Sequence, residues 1–240
     1  MYTPILTKDF TQRNMTGFTN KLMIFTKLNV ILACFAVAGF FALGTPLIRL
    51  WMGSDFSYLI AYKVGAILLL GKMFLFITLP INSAFLAMQK PRIMSLVSVA
   101  ETGILTILLL YFATSTNLGI VGASLAVLFS YTPTRLIVIP FLISRELSLP
   151  FNDIIKPWLR PLLLSFMGWA MLSSAYTVMI QEVQSALAFI LCVVLYTIFS
   201  LISVPFLVGQ QERTLLETIV PKKYMLLFNW PSLLSRRRPA

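Results

Sequence analysis

The chain has 240 residues, of which 58% are hydrophobic and 11% charged, with a formal net charge of +11 and a mean hydropathy of +0.88. An ordinary soluble domain is about 45–50% apolar and about 25% charged, so a water-soluble globule is excluded and an all-α integral membrane protein is expected. The excess of base would elsewhere point to nucleic acid. Here it has to be read by position, because membrane proteins gather Lys and Arg on one side, and no nucleic-acid partner is expected.

Residues 1–27 are of mixed polarity and carry Lys8, Arg13, Lys21 and Lys27 before any long apolar run. That is too long and too mixed for a signal peptide. These residues are expected to form a cytoplasmic segment ahead of an uncleaved first span. A hydrocarbon core of about 30 Å takes about 20 apolar residues in helix. Such runs fall at 28–48, 64–88, 93–114, 118–144, 158–180 and 184–208, which predicts a six-transmembrane-helix bundle over 28–208. Lys72 and Pro80 interrupt the second run, and the fourth is long enough to tilt or to kink at Pro133. Residues 209–240 mix Leu, Phe and Trp with Arg and Lys. They read as an interfacial helix on an anionic cytoplasmic leaflet, with a disordered basic tail as the alternative.

Six spans sort the cations sharply. Fifteen Lys and Arg fall on the side of the N-terminus and two, Arg49 and Lys63, on the other. Both termini are therefore expected in the cytoplasm. The far-side turns "STN" and "QEV" are short and leave no room for an external domain.

Ionisable residues inside a bilayer are costly enough to be informative, roughly 2.5–3.5 kcal/mol or more at the centre. Three stand out: Lys72, Glu101 and Arg135. At about 1.5 Å of rise per residue, all three come within one broad middle layer. Glu101 is too short to reach the interface, so it must be protonated, paired or in contact with water. Its natural partners are Arg135 and Lys72. One reading is a hydrated, net-cationic cavity for an anionic headgroup. The other is a structural ion pair that fixes helix register, with Arg135 extending along its stem. Gly119, Gly122, Ala123 and Ala126 recur at spacings of three and four, as in a close helix-packing face.

Catalytic machinery is not expected. There is no His, no close pair of carboxylates on an aqueous face and no recognisable activating partner for a Ser or Thr nucleophile. Cys34 and Cys192 lie in apolar runs and read as small hydrophobes. No cofactor and no metal are expected, and the bilayer itself is the first partner.

The stretch "TPLIRLWMGSDFS" (45–57) resembles the helix end and loop of bacterial oligosaccharide flippases. Residues 82–131, with the basic turn "QKPR", a full span and the helix entry "GIVGASLA", are similar to the same family. The upstream "YTPILTKDFTQRN" resembles the cytoplasmic loop before those helices. The resemblance is to the polysaccharide branch of the multidrug/oligosaccharidyl-lipid/polysaccharide exporter superfamily and covers roughly residues 2–144. It implies a multi-pass protein of the bacterial inner membrane that flips a polyprenyl-diphosphate-linked sugar for polysaccharide biosynthesis. It carries over no individual binding residue. Because the family's members usually have twelve to fourteen helices, it also implies that this chain corresponds to a C-terminal part. Such a part would work with a missing N-terminal lobe, a separate subunit or a second copy. The competing expectation is a non-transporting scaffold or accessory subunit of an envelope polysaccharide assembly complex.

Overall fold

Residues 2–53, 57–182 and 185–208 are described by the structure, a computed structural model. Among them the chain is helical throughout, with no strand. A short helix α1 (Tyr2–Thr11) is followed by α2 (Met15–Met52), α3 (Tyr58–Ile77), α4 (Leu79–Ala87) and α5 (Pro91–Ser115). Next come α6 (Gly119–Pro133), a π turn (Thr134–Val138), α7 (Ile139–Leu147), α8 (Phe151–Glu182) and α9 (Ser185–Leu207). Five segments are long and apolar enough to cross a membrane: α2, α3 with α4, α5, α6 through α7, and the bulk of α9. The expected span at 158–180 falls inside α8, which carries Asp153, Lys156 and Arg160 near its start and is not among those five. The expected interfacial tail, 209–240, lies outside the described residues.

The helix that contains the expected span 28–48 starts well before residue 28. Helix α2 begins at Met15, because the segment before Leu28, though polar overall, keeps an apolar face at helical spacing: Phe18, Leu22 and Phe25 are all buried. The Asn14 side chain caps the new start, accepting from the Gly17 N–H at 2.9 Å. The 38 residues of α2 reach about 57 Å, well beyond a bilayer core of about 30 Å.

Helix α1, in the segment that resembles a cytoplasmic loop, is folded onto the bundle. Its Leu6 packs with Phe18, Leu22, Ile81 and Phe85 in the largest apolar cluster. Lys21 holds the nearly buried Asp9 at 2.7 Å. The same cluster takes in Val97 of α5, Ile139 and Ile143 of α7 and Ile154 of α8. One end of the bundle therefore gathers α1, the α4–α5 turn and the α7–α8 turn. A Lys90–Glu146 ion pair ties those two turns together.

The break between α3 and α4 follows from Pro80. Proline has no N–H to give the carbonyl four residues earlier, which leaves the Phe76 oxygen without its helical donor. The buried Asn29 of α2 supplies one, its Nδ2 donating at 3.0 Å. Its Oδ1 accepts the Tyr2 hydroxyl of α1 at 2.6 Å. Burial pushes the Tyr2 phenol up, so the hydroxyl stays protonated and donates. One amide thus joins three elements.

Around α2 the helices pack in the order α5, α6, α3, α2, α8, α9, with α9 also touching α2. Helix α9 is seated by aromatic rings: Tyr196 donates to the Phe35 carbonyl at 2.6 Å, and Phe199 meets Phe35 edge-on. The outermost helices are sparsely covered, with 11% of the apolar window of α5 and 17% of that of α9 buried.

Replacing Asn29 by Leu removes both bonds and strands the Phe76 carbonyl. A loss on the order of 1–3 kcal/mol is expected, with Tyr2→Phe costing about 1 kcal/mol or less. Unfolding of the purified chain in mixed micelles measures both.

Candidate functional site

Helix α5 turns only Val97 and Glu101 into the protein as fully buried residues, so a carboxylate is one of its two inner anchors. Three groups of the neighbouring helix close on that residue. Arg135 Nη2 donates to Glu101 Oε2 at 2.5 Å, and Thr134 Oγ1 donates to Oε1 at 2.6 Å. Ser130 Oγ donates to the Glu101 main-chain carbonyl at 2.8 Å. Both charged side chains are 5% exposed.

The π turn is what aims them. It lies between Pro133 and Pro140, and the Ile139 N–H reaches back five residues to the Thr134 carbonyl. Pro140 has no N–H for the Leu136 carbonyl, so the ordinary ladder cannot run through this stretch. Within the widened turn, adjacent Thr134 and Arg135 both reach Glu101. Single π turns inside α-helices recur at functional positions. Arg135 keeps two buried nitrogens, Nε and Nη1, without a hydrogen-bond partner.

Glu101 and Arg135 therefore form a direct, closed pair, and Lys72 does not join them. Lys72 is exposed, and its Nζ lies 4.8 Å from the centroid of the Tyr131 ring, one turn before Arg135. It lines an apolar cleft of about 500 Å3 between α2 and α3. A second apolar cleft, about 590 Å3, lies between α2, α3, α8 and Leu136 of the π turn. Neither Glu101 nor Arg135 lines either cleft.

The small residues of α6 divide. Gly122 and Ala126 are buried, with a Cβ on Gly122 coming within 3.1 Å of Phe112. Ala123 is half-buried. Gly119 stands apart: it is exposed, has a φ of +52° and has nothing within 4 Å of where a Cβ would lie. It serves the turn into α6, where a left-handed backbone suits glycine. The close backbone approach on α6 is supplied from α3, where a Cβ on Gly71 would come within 3.2 Å of Leu128 Cα.

Sequence reasoning missed Ser130 and Thr134, although hydroxyls four apart on one helix face beside Arg135 were a usable signal. Asn29 was missed as well, and the signal there was indirect: Pro80 releases a carbonyl, and a polar amide in an apolar run is a candidate donor. Among the described residues no group of three or more His, Cys, Asp or Glu is placed to hold a metal. Cys34 and Cys192 are buried in different clusters and are not joined by a disulfide.

Fold and site together define a multi-pass α-helical membrane protein with a buried ion pair and two apolar clefts. Compared with known proteins, the chain matches no family model, no curated protein and no solved structure.

Breaking the pair from one side leaves a charge buried alone. Glu101→Ala is expected to cost about 3–5 kcal/mol, whereas Glu101→Leu combined with Arg135→Met is near neutral or stabilising. A double-mutant cycle on thermal unfolding reads the coupling directly.

Proposed function

We propose that the chain is the C-terminal portion of a flippase that moves polyprenyl-diphosphate-linked oligosaccharide across a bacterial inner membrane for polysaccharide biosynthesis. It works with a partner, which is an N-terminal lobe, a separate subunit or a second copy. In this reading α8 is the sixth membrane span, both termini are cytoplasmic, the basic tail lies on the inner leaflet, and the chain has no catalytic role. The observation that carries the reading is the openness of the bundle. Two apolar clefts of about 590 and 500 Å3 flank the central helix α2, and the outer helices α5 and α9 leave most of their apolar surface uncovered. Clefts of that volume suit a lipid-like ligand, and an open row of helices suits one lobe of a larger transporter. The likeness of residues 45–57 and 82–131 to flippases adds the substrate class.

A scaffold or accessory subunit is the second reading. One observation favours it: the Glu101–Arg135 pair is closed on itself and faces neither cleft.

Deleting the gene separates the two. Accumulation of lipid-linked intermediates on the inner leaflet is the outcome expected of a flippase, and an unchanged pool with misassembled polymer is that of a scaffold. Topology is checked by alkaline phosphatase fusions. These should be inactive at either terminus and active when inserted near residues 116 and 183; an active C-terminal fusion removes α8 from the spans.

A further inference from the structure

Lys72 poses a chemical problem that Glu101 and Arg135 solve for each other. Its ammonium stands in the apolar stretch of α3 that follows Lys63, and among the described residues no carboxylate pairs with it; the Tyr131 ring attracts the charge without neutralising it. An uncompensated charge at that level of a membrane protein is costly and marks a functional position. The surroundings narrow the remedy. The cleft that Lys72 lines is walled by Leu32, Ala36, Val37, Leu69, Phe76 and Leu79. Its volume of about 500 Å3 lies within the range of about 300–1,000 Å3 typical of small-ligand sites. A free phosphate would meet the charge and leave the walls bare. A neutral lipid would fill the walls and leave the charge.

We propose that the α2–α3 cleft binds an anionic amphiphile, a membrane lipid whose phosphate head pairs with Lys72 and whose hydrocarbon chain lies along Leu32, Leu69 and Phe76. The Phe76 wall is fixed from behind, because Asn29 holds its carbonyl. This is a statement about binding, and it holds whether or not the chain moves lipid.

The test uses the full chain in nanodiscs of phosphatidylcholine doped with spin-labelled phosphatidic acid or spin-labelled phosphatidylcholine. The motionally restricted fraction of each label is then read. Wild type is expected to retain phosphatidic acid about fivefold more strongly than phosphatidylcholine, the order of effect of one basic side chain on an anionic lipid. Lys72→Gln should lower that preference about fivefold, and Lys72→Arg should keep most of it. Ala36→Trp fills the cleft from its exposed edge with Lys72 intact, and should abolish the restricted phosphatidic acid signal. An unchanged preference in Lys72→Gln, or an unchanged signal in Ala36→Trp, overturns the site; should Lys72→Gln fail to fold, Ala36→Trp decides. Lys72-dependent binding with undisturbed lipid-linked intermediates in the deletion strain sinks the transport reading and leaves this site standing. Disturbed intermediates without Lys72-dependent binding do the reverse.

Discussion

A carbonyl released inside a membrane helix must find a donor from the protein, because lipid offers none. Pro80 releases the carbonyl of Phe76, and the architecture around it follows from the donor that answers. Asn29 answers from α2, which sets how far α3 runs before the chain bends into α4. The same amide presents its oxygen to Tyr2, which fixes α1 against the bundle. With α1 and α4 in place, Leu6, Phe18, Phe85 and Ile143 close into one cluster. A substitution at one polar position of α2 thus reaches α1, α3, α4 and α7.

The second polar contact works differently. Glu101 and Arg135 are both nearly inaccessible, and desolvating two charges offsets much of what their attraction returns. The pair contributes more to placement than to net stability. Helix α5 has few other buried residues to hold it, since most of its apolar window is uncovered. A carboxylate that accepts from Arg135 and Thr134 while its main-chain oxygen accepts from Ser130 fixes both the depth and the rotation of that helix. The π turn is part of the same device, because Thr134 and Arg135, which both reach Glu101, are its first two residues.

Much of the scaffold was legible in the sequence, and the reasons are physical. Apolar runs of bilayer length have few alternatives to helix, and the helices lie where those runs lie, with α5 at Pro91–Ser115 against an expected 93–114. Pro80 marked the irregular place in the second run, and the pairing of Glu101 with Arg135 was one of the partnerships that a short buried carboxylate demands. What could not be read was whatever depends on three-dimensional neighbours. The folded state of residues 2–27 was hidden because Phe18, Leu22 and Phe25 sit among polar residues that lower the average hydropathy of the segment. The separation of Lys72 from the other two charges was hidden because depth along a helix says nothing of azimuth. The packing stripe of α6 misled at Gly119, where the need is a backbone angle rather than a close neighbour.

The position of α1 has a consequence for the order in which the protein is built. Its chief neighbour is α4, whose Ile81 and Phe85 form the surface on which Leu6 rests. Synthesis runs from the N-terminus, so α1 leaves the ribosome before α4, while that seat is still some seventy residues from being made. Until α2 and α3 have been threaded and α4 has followed, Leu6 has only Phe18 and Leu22 of α2 to rest on and lacks Ile81 and Phe85. Helix α1 is therefore made before α4 yet completes its packing only after it, and its docking reports that α2, α3 and α4 are in place.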